Sequence, residues 1–123
     1  MIYPRIIAHR GGGALTPENT LAGLRVAARL GCRGVEFDAM LAADGIPVLM
    51  HDETLERTTS GRGRGAAMSA AQLVQLDAGS RHHAAFAVEP VPTLDEALRL
   101  CAALGLWANV EIKPSAGREA ETG

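Results

Sequence analysis

Three carboxylates, two histidines and two fixed cations stand in or at the ends of short apolar runs of this chain, and their types describe a chemistry before any fold is assumed. Glu36 and Asp38 are separated by one residue, as are Glu111 and Lys113, so on extended backbone each pair points to one face. Carboxylates that converge without cysteine suit a hard divalent cation that prefers oxygen, Mg²⁺ or Ca²⁺. His9 and His51 are of the one residue type that titrates near working pH when unperturbed, which lets one take a proton while the other gives one. Arg10 and Lys113 add positive charge, and a guanidinium grips two oxygens of a phosphate while a metal polarises the same group. Hydrolysis of a phosphoryl-bearing substrate is the reaction this set could perform.

Each residue also has a plainer reading. A single histidine after a strand is more often a hydrogen-bonded structural residue, a lysine near a strand end can be a surface charge, and an arginine can pair with a carboxylate for structure alone. What favours a site is the context. After Ile6-Ile7-Ala8 the chain places His9-Arg10 and then three glycines, and packing gives no reason for basic side chains followed by bare backbone. Around Glu36 and Asp38 the apolar residues Val35, Phe37 and Ala39 alternate, as expected of a strand with one polar face.

The elements that must position these groups alternate strand with helix. Ile6-Ile7-Ala8 predicts a short buried strand, and Leu21, Leu24 and Ala28 before Gly31 predict a helix with a C-terminal stop. A second strand is expected over 34–41, a tight turn at Asp44-Gly45, and a return strand over 46–50 whose Pro47 assigns it to an edge. The stretch 53–91 is polar and glycine-rich apart from a short helix capped by Ser69 and Gln72. A longer helix runs from Thr93 and Glu96 to Gly105 along Leu94, Leu98, Cys101 and Leu104, and a last strand runs from Trp107 to Lys113. This order predicts a parallel α/β sheet with helices outside, either doubly wound or closed into a barrel. In both, functional groups gather at the carboxyl ends of strands, which is where these candidates fall. If Asp44 and Gly45 form a two-residue loop, residue 43 pairs with 46 and His51 comes to lie opposite Asp38.

Composition bounds the rest. The 123 residues, 47% hydrophobic and 21% charged, suit one globular domain, and the net charge of −2 lacks the basic excess of a nucleic-acid surface. No apolar run is long enough for a membrane span and no leader pattern opens the chain, so the expected compartment is the cytoplasm. Cys32 and Cys101, each read in an apolar helical context, are expected to be reduced core residues. GRGRG at 61–65 and His82-His83 read as flexible surface loop.

HRGG, PENT, VEFD, a DG turn before VLMHD, LERTTSGRG, LDAG, VPTLDEAL and NVEIKP occur in this order, and through them the chain resembles the glycerophosphodiester phosphodiesterase family. The resemblance implies a TIM (β/α)8 barrel with an insertion after the HD segment, here 53–91. It implies a small-molecule glycerophosphodiester substrate, cleaved to glycerol 3-phosphate and an alcohol. By matching position it makes His9 and His51 the acid/base pair and Glu36, Asp38 and Glu111 the ligands of Mg²⁺ or Ca²⁺. Arg10 and Lys113 would hold the phosphate, and Glu18 of the PEN segment joins the substrate-binding residues. A complete barrel of this type takes about 250 residues, so the chain is expected to form its N-terminal part, with an open edge that favours self-association. The alternative is a catalytically inert fragment or a non-catalytic interaction domain. Metal-dependent amidohydrolases are disfavoured, because their first strand would carry H-x-H where this chain has His9-Arg10-Gly11.

Overall fold

In the computed structural model, which describes residues 2–123, the elements run β1 (Ile7–Ala8), α1 (Leu21–Arg29), β2 (Gly34–Leu41), β3 (Pro47–Leu49), α2 (Ala70–Leu73), α3 (Leu94–Leu104), β4 (Trp107–Ile112) and α4 (Glu119–Thr122). Everything is organised about β2. Val35 lies opposite both Ala8 of β1 and Ala108 of β4, each in parallel register, and Ala39 lies opposite both Leu49 of antiparallel β3 and Ile112 of β4. Because a strand has two edges, β1 and β3 follow one another along one edge of β2, and β4 occupies the other.

The helices begin and end where local chemistry directs. The Thr20 hydroxyl accepts from the Gly23 N–H to start α1, and the Thr93 hydroxyl accepts from the Glu96 N–H to start α3, satisfying donors that a first turn leaves free. Glu96 does not complete a reciprocal box: the Thr93 hydroxyl donates to its carboxylate instead. Ser69 and Gln72 do complete one at α2, each side chain meeting the other's backbone N–H. Gly105 closes α3 at φ 68°. Among the described residues no helix is long and apolar enough to cross a membrane.

Two cores divide the interior. Val35 and Phe37 of β2 pack with Leu24 and Ala27 of α1, Leu49 of β3, and Ala97 and Cys101 of α3, so the helices cover one face of the sheet. The second core joins Met40, Val48 and Met50 of the hairpin to Leu55, Ala70, Leu73, Ala78 and Val91. Segment 53–91 therefore shares a small core with the hairpin and is seated by it on the end of β2. Its glycine-rich stretch lies at the surface at 62–64 but is tied down: the Leu55 N–H donates to Gly63 O and the Gly65 N–H to Glu53 O, and Gly61 and Gly65 are buried.

Several expectations are corrected. Ala42 and Ile46 pair across the hairpin and the Gly45 N–H donates to Ala42 O, closing a three-residue loop with Gly45 at φ 79°. That extra residue shifts the register by one, so Leu41 pairs with Pro47 and the Met50 N–H donates to Asp38 O. Met50, not His51, is opposite Asp38. The first strand is two residues long with Ile6 and Ile7 exposed, because among the described residues no strand covers its outer edge. Cys32 lies in the turn after α1, not in a helix, and remains a free thiol like buried Cys101. In α3 the buried row is Ala97 and Cys101, spaced for one helix face, while Leu98 and Leu104 turn outward.

Candidate active site

The floor of the site is the face of the sheet that α1 and α3 do not cover. Alternation that sends Val35 and Phe37 to the helices sends Glu36 and Asp38 the other way. Parallel register then sets Glu111 of β4 directly beside Asp38. Carboxylate oxygens of Glu36, Asp38 and Glu111 all lie within 4.8 Å of one another. Asp38 is only 1% exposed, which would be costly for an anion without partners.

Those partners come from the loop between β1 and α1. Asn19 grips Asp38 twice: its side-chain amide donates to Asp38 Oδ2 at 3.0 Å, and its side-chain carbonyl accepts from the Asp38 N–H at 3.1 Å. The Arg10 N–H donates to Glu36 Oε2 at 3.0 Å, and Arg10 O accepts from the Asn19 N–H at 2.9 Å. These contacts require Arg10 and Asn19 to adopt left-handed backbone, φ 52° and 56°. Asparagine tolerates that region, but for other non-glycine residues it costs roughly 1–2 kcal/mol. Strain of this kind persists where the surroundings over-determine it, as the two hydrogen bonds of the Arg10 backbone do. The glycines that follow serve the same loop. Gly11 continues at φ 95°, and a Cβ on Gly12 would sit 2.0 Å from Thr16 Oγ1, so only bare backbone passes there.

The remaining candidates surround this floor. His9 Nε2 stands 3.7 Å from Glu36 Oε2, with its side chain 69% exposed. Lys113 Nζ is 3.2 Å from Glu111 Oε1, and its hydrogen bond is the main cause holding the Glu111 carboxyl below its ordinary pKa, with smaller contributions from Asp38 and His51. Arg10 sends its guanidinium to Glu18 Oε2 at 2.7 Å, while its buried Nε, 3.6 Å from Asp38 Oδ2, has no hydrogen-bond acceptor. Burial raises the pKa of Glu18, but hydrogen bonds from Arg57 and Arg10 together outweigh it and the carboxyl is held low. His51 follows β3, its Nδ1 2.8 Å from Asp52 Oδ1. Arg57 holds the Asp52 carboxyl far below the usual carboxylate range, against burial and with help from His51.

The structure thus brings together Glu36, Asp38, Glu111, His9, Arg10 and Lys113, and sets Glu18 and His51 beside them through ion pairs. It adds Asn19, Asp52 and Arg57, which the sequence did not single out. A signal existed for Asn19, since a polar side chain inside a glycine and proline loop next to a buried carboxylate needs a partner. For Arg57, which comes from segment 53–91, the signal was its place in the run LERTTSGRG. A cleft of 320 Å³ opens beside Glu18 and Arg57, lined also by Gly13, Thr16, Arg81 and His82.

This geometry has known relatives. The glycerophosphoryl diester phosphodiesterase family model matches residues 9–123. Glycerophosphodiester phosphodiesterase 1 of Homo sapiens is 44% identical over 117 residues, covering 94% of this chain and 35% of its own length. A glycerophosphodiester phosphodiesterase of Caldanaerobacter subterraneus is 42% identical over 108 residues, covering 88% of this chain and 44% of its own. The solved structure of an Oleispira antarctica phosphodiesterase in complex with the product sn-glycerol-3-phosphate superposes with a TM-score of 0.93 at 47% identity, covering 97% of this chain and 48% of that one. The chain therefore spans less than half the length of each of these proteins. With the carboxylate floor built on adjacent parallel strands and the match running through every site residue named above, the chain belongs to the glycerophosphoryl diester phosphodiesterase family.

Proposed function

We propose that this chain supplies the proton-transfer, phosphate-binding and metal-binding groups of a hydrolase that splits glycerophosphodiesters into glycerol 3-phosphate and an alcohol. The observation that carries the reading is the juxtaposition of three carboxylates within 4.8 Å with His9 and Lys113 against two of them. In architecture we read β1, β2 and β4 as the first three strands of a (β/α)8 barrel, with 53–91 as an insertion between the second and third. Exposed Ile6, Ile7 and Ile112 lie where further strands of a barrel would pair, and support self-association of the isolated chain along that edge.

The donor set fits a divalent cation. Three oxygen-bearing anions converge, and Arg10 and Lys113 offset only two of the three charges, which leaves room for a hard cation such as Mg²⁺ or Ca²⁺. Glu36, Asp38 and Glu111 would hold it, and when bound it would polarise a phosphoryl oxygen and so ease attack at phosphorus. Arg10 presents a buried Nε without an acceptor, and Lys113 presents an ammonium at the mouth of the site; together they bind the phosphate oxygens. Glu18 holds the Arg10 guanidinium in that direction and bounds the substrate site on the side of the cleft. His9 and His51 divide the proton work. One takes the proton of the attacking hydroxyl and the other returns a proton to the oxygen of the leaving alcohol; attack by water gives glycerol 3-phosphate directly, whereas attack by the adjacent glycerol hydroxyl gives a cyclic phosphodiester that water then opens to the same product. The cytoplasm is the compartment we assign, supported by two cysteines that are free thiols.

The reading is tested by release of glycerol 3-phosphate from glycerophosphocholine by the purified chain, with and without Mg²⁺ or Ca²⁺. Metal-dependent turnover that falls by about 10²–10⁴-fold in His9→Ala is expected for a true general acid or base. Turnover indifferent to the metal or to His9 would sink the assignment. A folded chain with no turnover would favour the inert-fragment reading that its exposed edge also supports.

A further inference from the structure

Arg57 lies outside the carboxylate floor, on segment 53–91, and belongs to none of the groups assigned so far. Its guanidinium nonetheless joins three separate stretches of chain. Nε donates to Asp52 Oδ2 at 2.7 Å and one terminal nitrogen donates to Asp52 Oδ1 at 3.1 Å, a two-pronged grip on one carboxylate. The same nitrogen donates to Glu18 Oε1 at 2.5 Å. Glu18 in turn holds Arg10, and Asp52 Oδ1 meets His51 Nδ1 at 2.8 Å. An unbroken ladder therefore runs through the ion pairs Arg10, Glu18, Arg57 and Asp52 to the His51 imidazole.

The ladder dictates the state of the imidazole. An ionised carboxylate only accepts hydrogen bonds, so when His51 is neutral its proton sits on Nδ1, facing Asp52, and Nε2 is left with a free lone pair. Free imidazole in solution is under no such constraint, and the hydrogen bond made by one ring nitrogen sets what the other can do. We propose that Arg57 is a positioning residue: by pinning Asp52 and Glu18 at once it fixes the tautomer and direction of His51 and ties it to Arg10. An exposed ion pair is usually worth little, and Arg57 is itself half exposed. What sets this one apart is the two-pronged geometry together with two largely covered carboxylates, whose side chains are 26% and 19% exposed. Lysine could not replace the fork, since its ammonium is a point charge.

The inference rests on the hydrolytic reading only for the task given to His51; the ladder itself is read without turnover. The experiment is nitrogen-15 NMR of the histidine ring nitrogens in the chain, with the His51 resonances identified by their loss in His51→Asn. The wild-type chain should show neutral His51 protonated at Nδ1. In Arg57→Gln a substantial population should move to the Nε2–H form, while methyl signals of Leu24 and Val35 stay in place and report an intact core. Arg57→Lys should restore the wild-type tautomer only in part, and it supplies the comparison if Arg57→Gln does not fold. A wild-type His51 protonated at Nε2, or a tautomer unchanged by either substitution in the folded chain, would overturn the proposal. Glycerophosphodiester hydrolysis undiminished in Arg57→Gln despite the tautomer shift would instead count against the task the hydrolytic reading gives His51, and against that alone.

Discussion

The two faces of β2 are built from alternate residues of one strand and held by opposite physics. On the face toward the helices, Val35 and Phe37 are wholly buried against Leu24, Ala27, Ala97 and Cys101, and removal of apolar surface from water stabilises the contact. On the other face, Glu36 and Asp38 gather like charges around Glu111, an arrangement that burial and repulsion both oppose. That face is held by hydrogen bonds from Asn19 and the backbone of Arg10, on a loop that itself carries left-handed, non-glycine backbone, and by Lys113 beside Glu111. The strand thus stabilises the domain with one side and spends part of that stability on the other, the usual relation between a core and a functional site.

If the comparison is right, substitutions on the two faces should separate stability from ligand binding. Phe37→Ala should have the largest effect, a loss of about 3–5 kcal/mol read by urea denaturation; a loss below 1 kcal/mol would show that the helix-covered face is not the main support of the sheet. Asn19→Ala should cost about 1–3 kcal/mol, because it leaves both the buried Asp38 N–H and its carboxylate short of a partner. Divalent-cation binding, followed by calorimetry, should weaken with it as Asp38 loses its fixed orientation. Glu36→Gln should change stability least, within about 0.5 kcal/mol, since the amide oxygen can still accept from the Arg10 N–H while one like charge is removed. Its cation binding should nevertheless be weakened relative to the wild-type chain. A destabilisation by Glu36→Gln as large as that of Phe37→Ala would erase the distinction between the faces.

A third region shows how location decides what a residue does. Segment 53–91 has scarcely any regular structure beyond α2, yet the small core it shares with the hairpin seats it there, and from that seat Arg57 reaches the loop after β1. Nothing in the run LERTTSGRGR distinguishes Arg57 from Arg62 or Arg64. Only the one that meets Asp52 and Glu18 joins the site.

Much of this was legible from sequence. Strand alternation determined that Glu36 and Asp38 share a face, because a period of two is a property of extended backbone and needs no tertiary contact. Gly31 and Gly105 marked the stops of α1 and α3 and Thr93 the start of α3 for the same local reason, and the ordered motifs carried the family. The tertiary structure decided what depends on a single added residue or on meetings between distant segments. The hairpin loop took three residues instead of two, which turned Met50 rather than His51 toward Asp38, and sequence holds no energy large enough to choose between neighbouring turn lengths. Asn19 on Asp38, and Arg57 between Asp52 and Glu18, are contacts across 19 and 39 positions of chain. They exist because the fold brings those groups together, where unpaired they would lose the hydrogen bonds that water had given them.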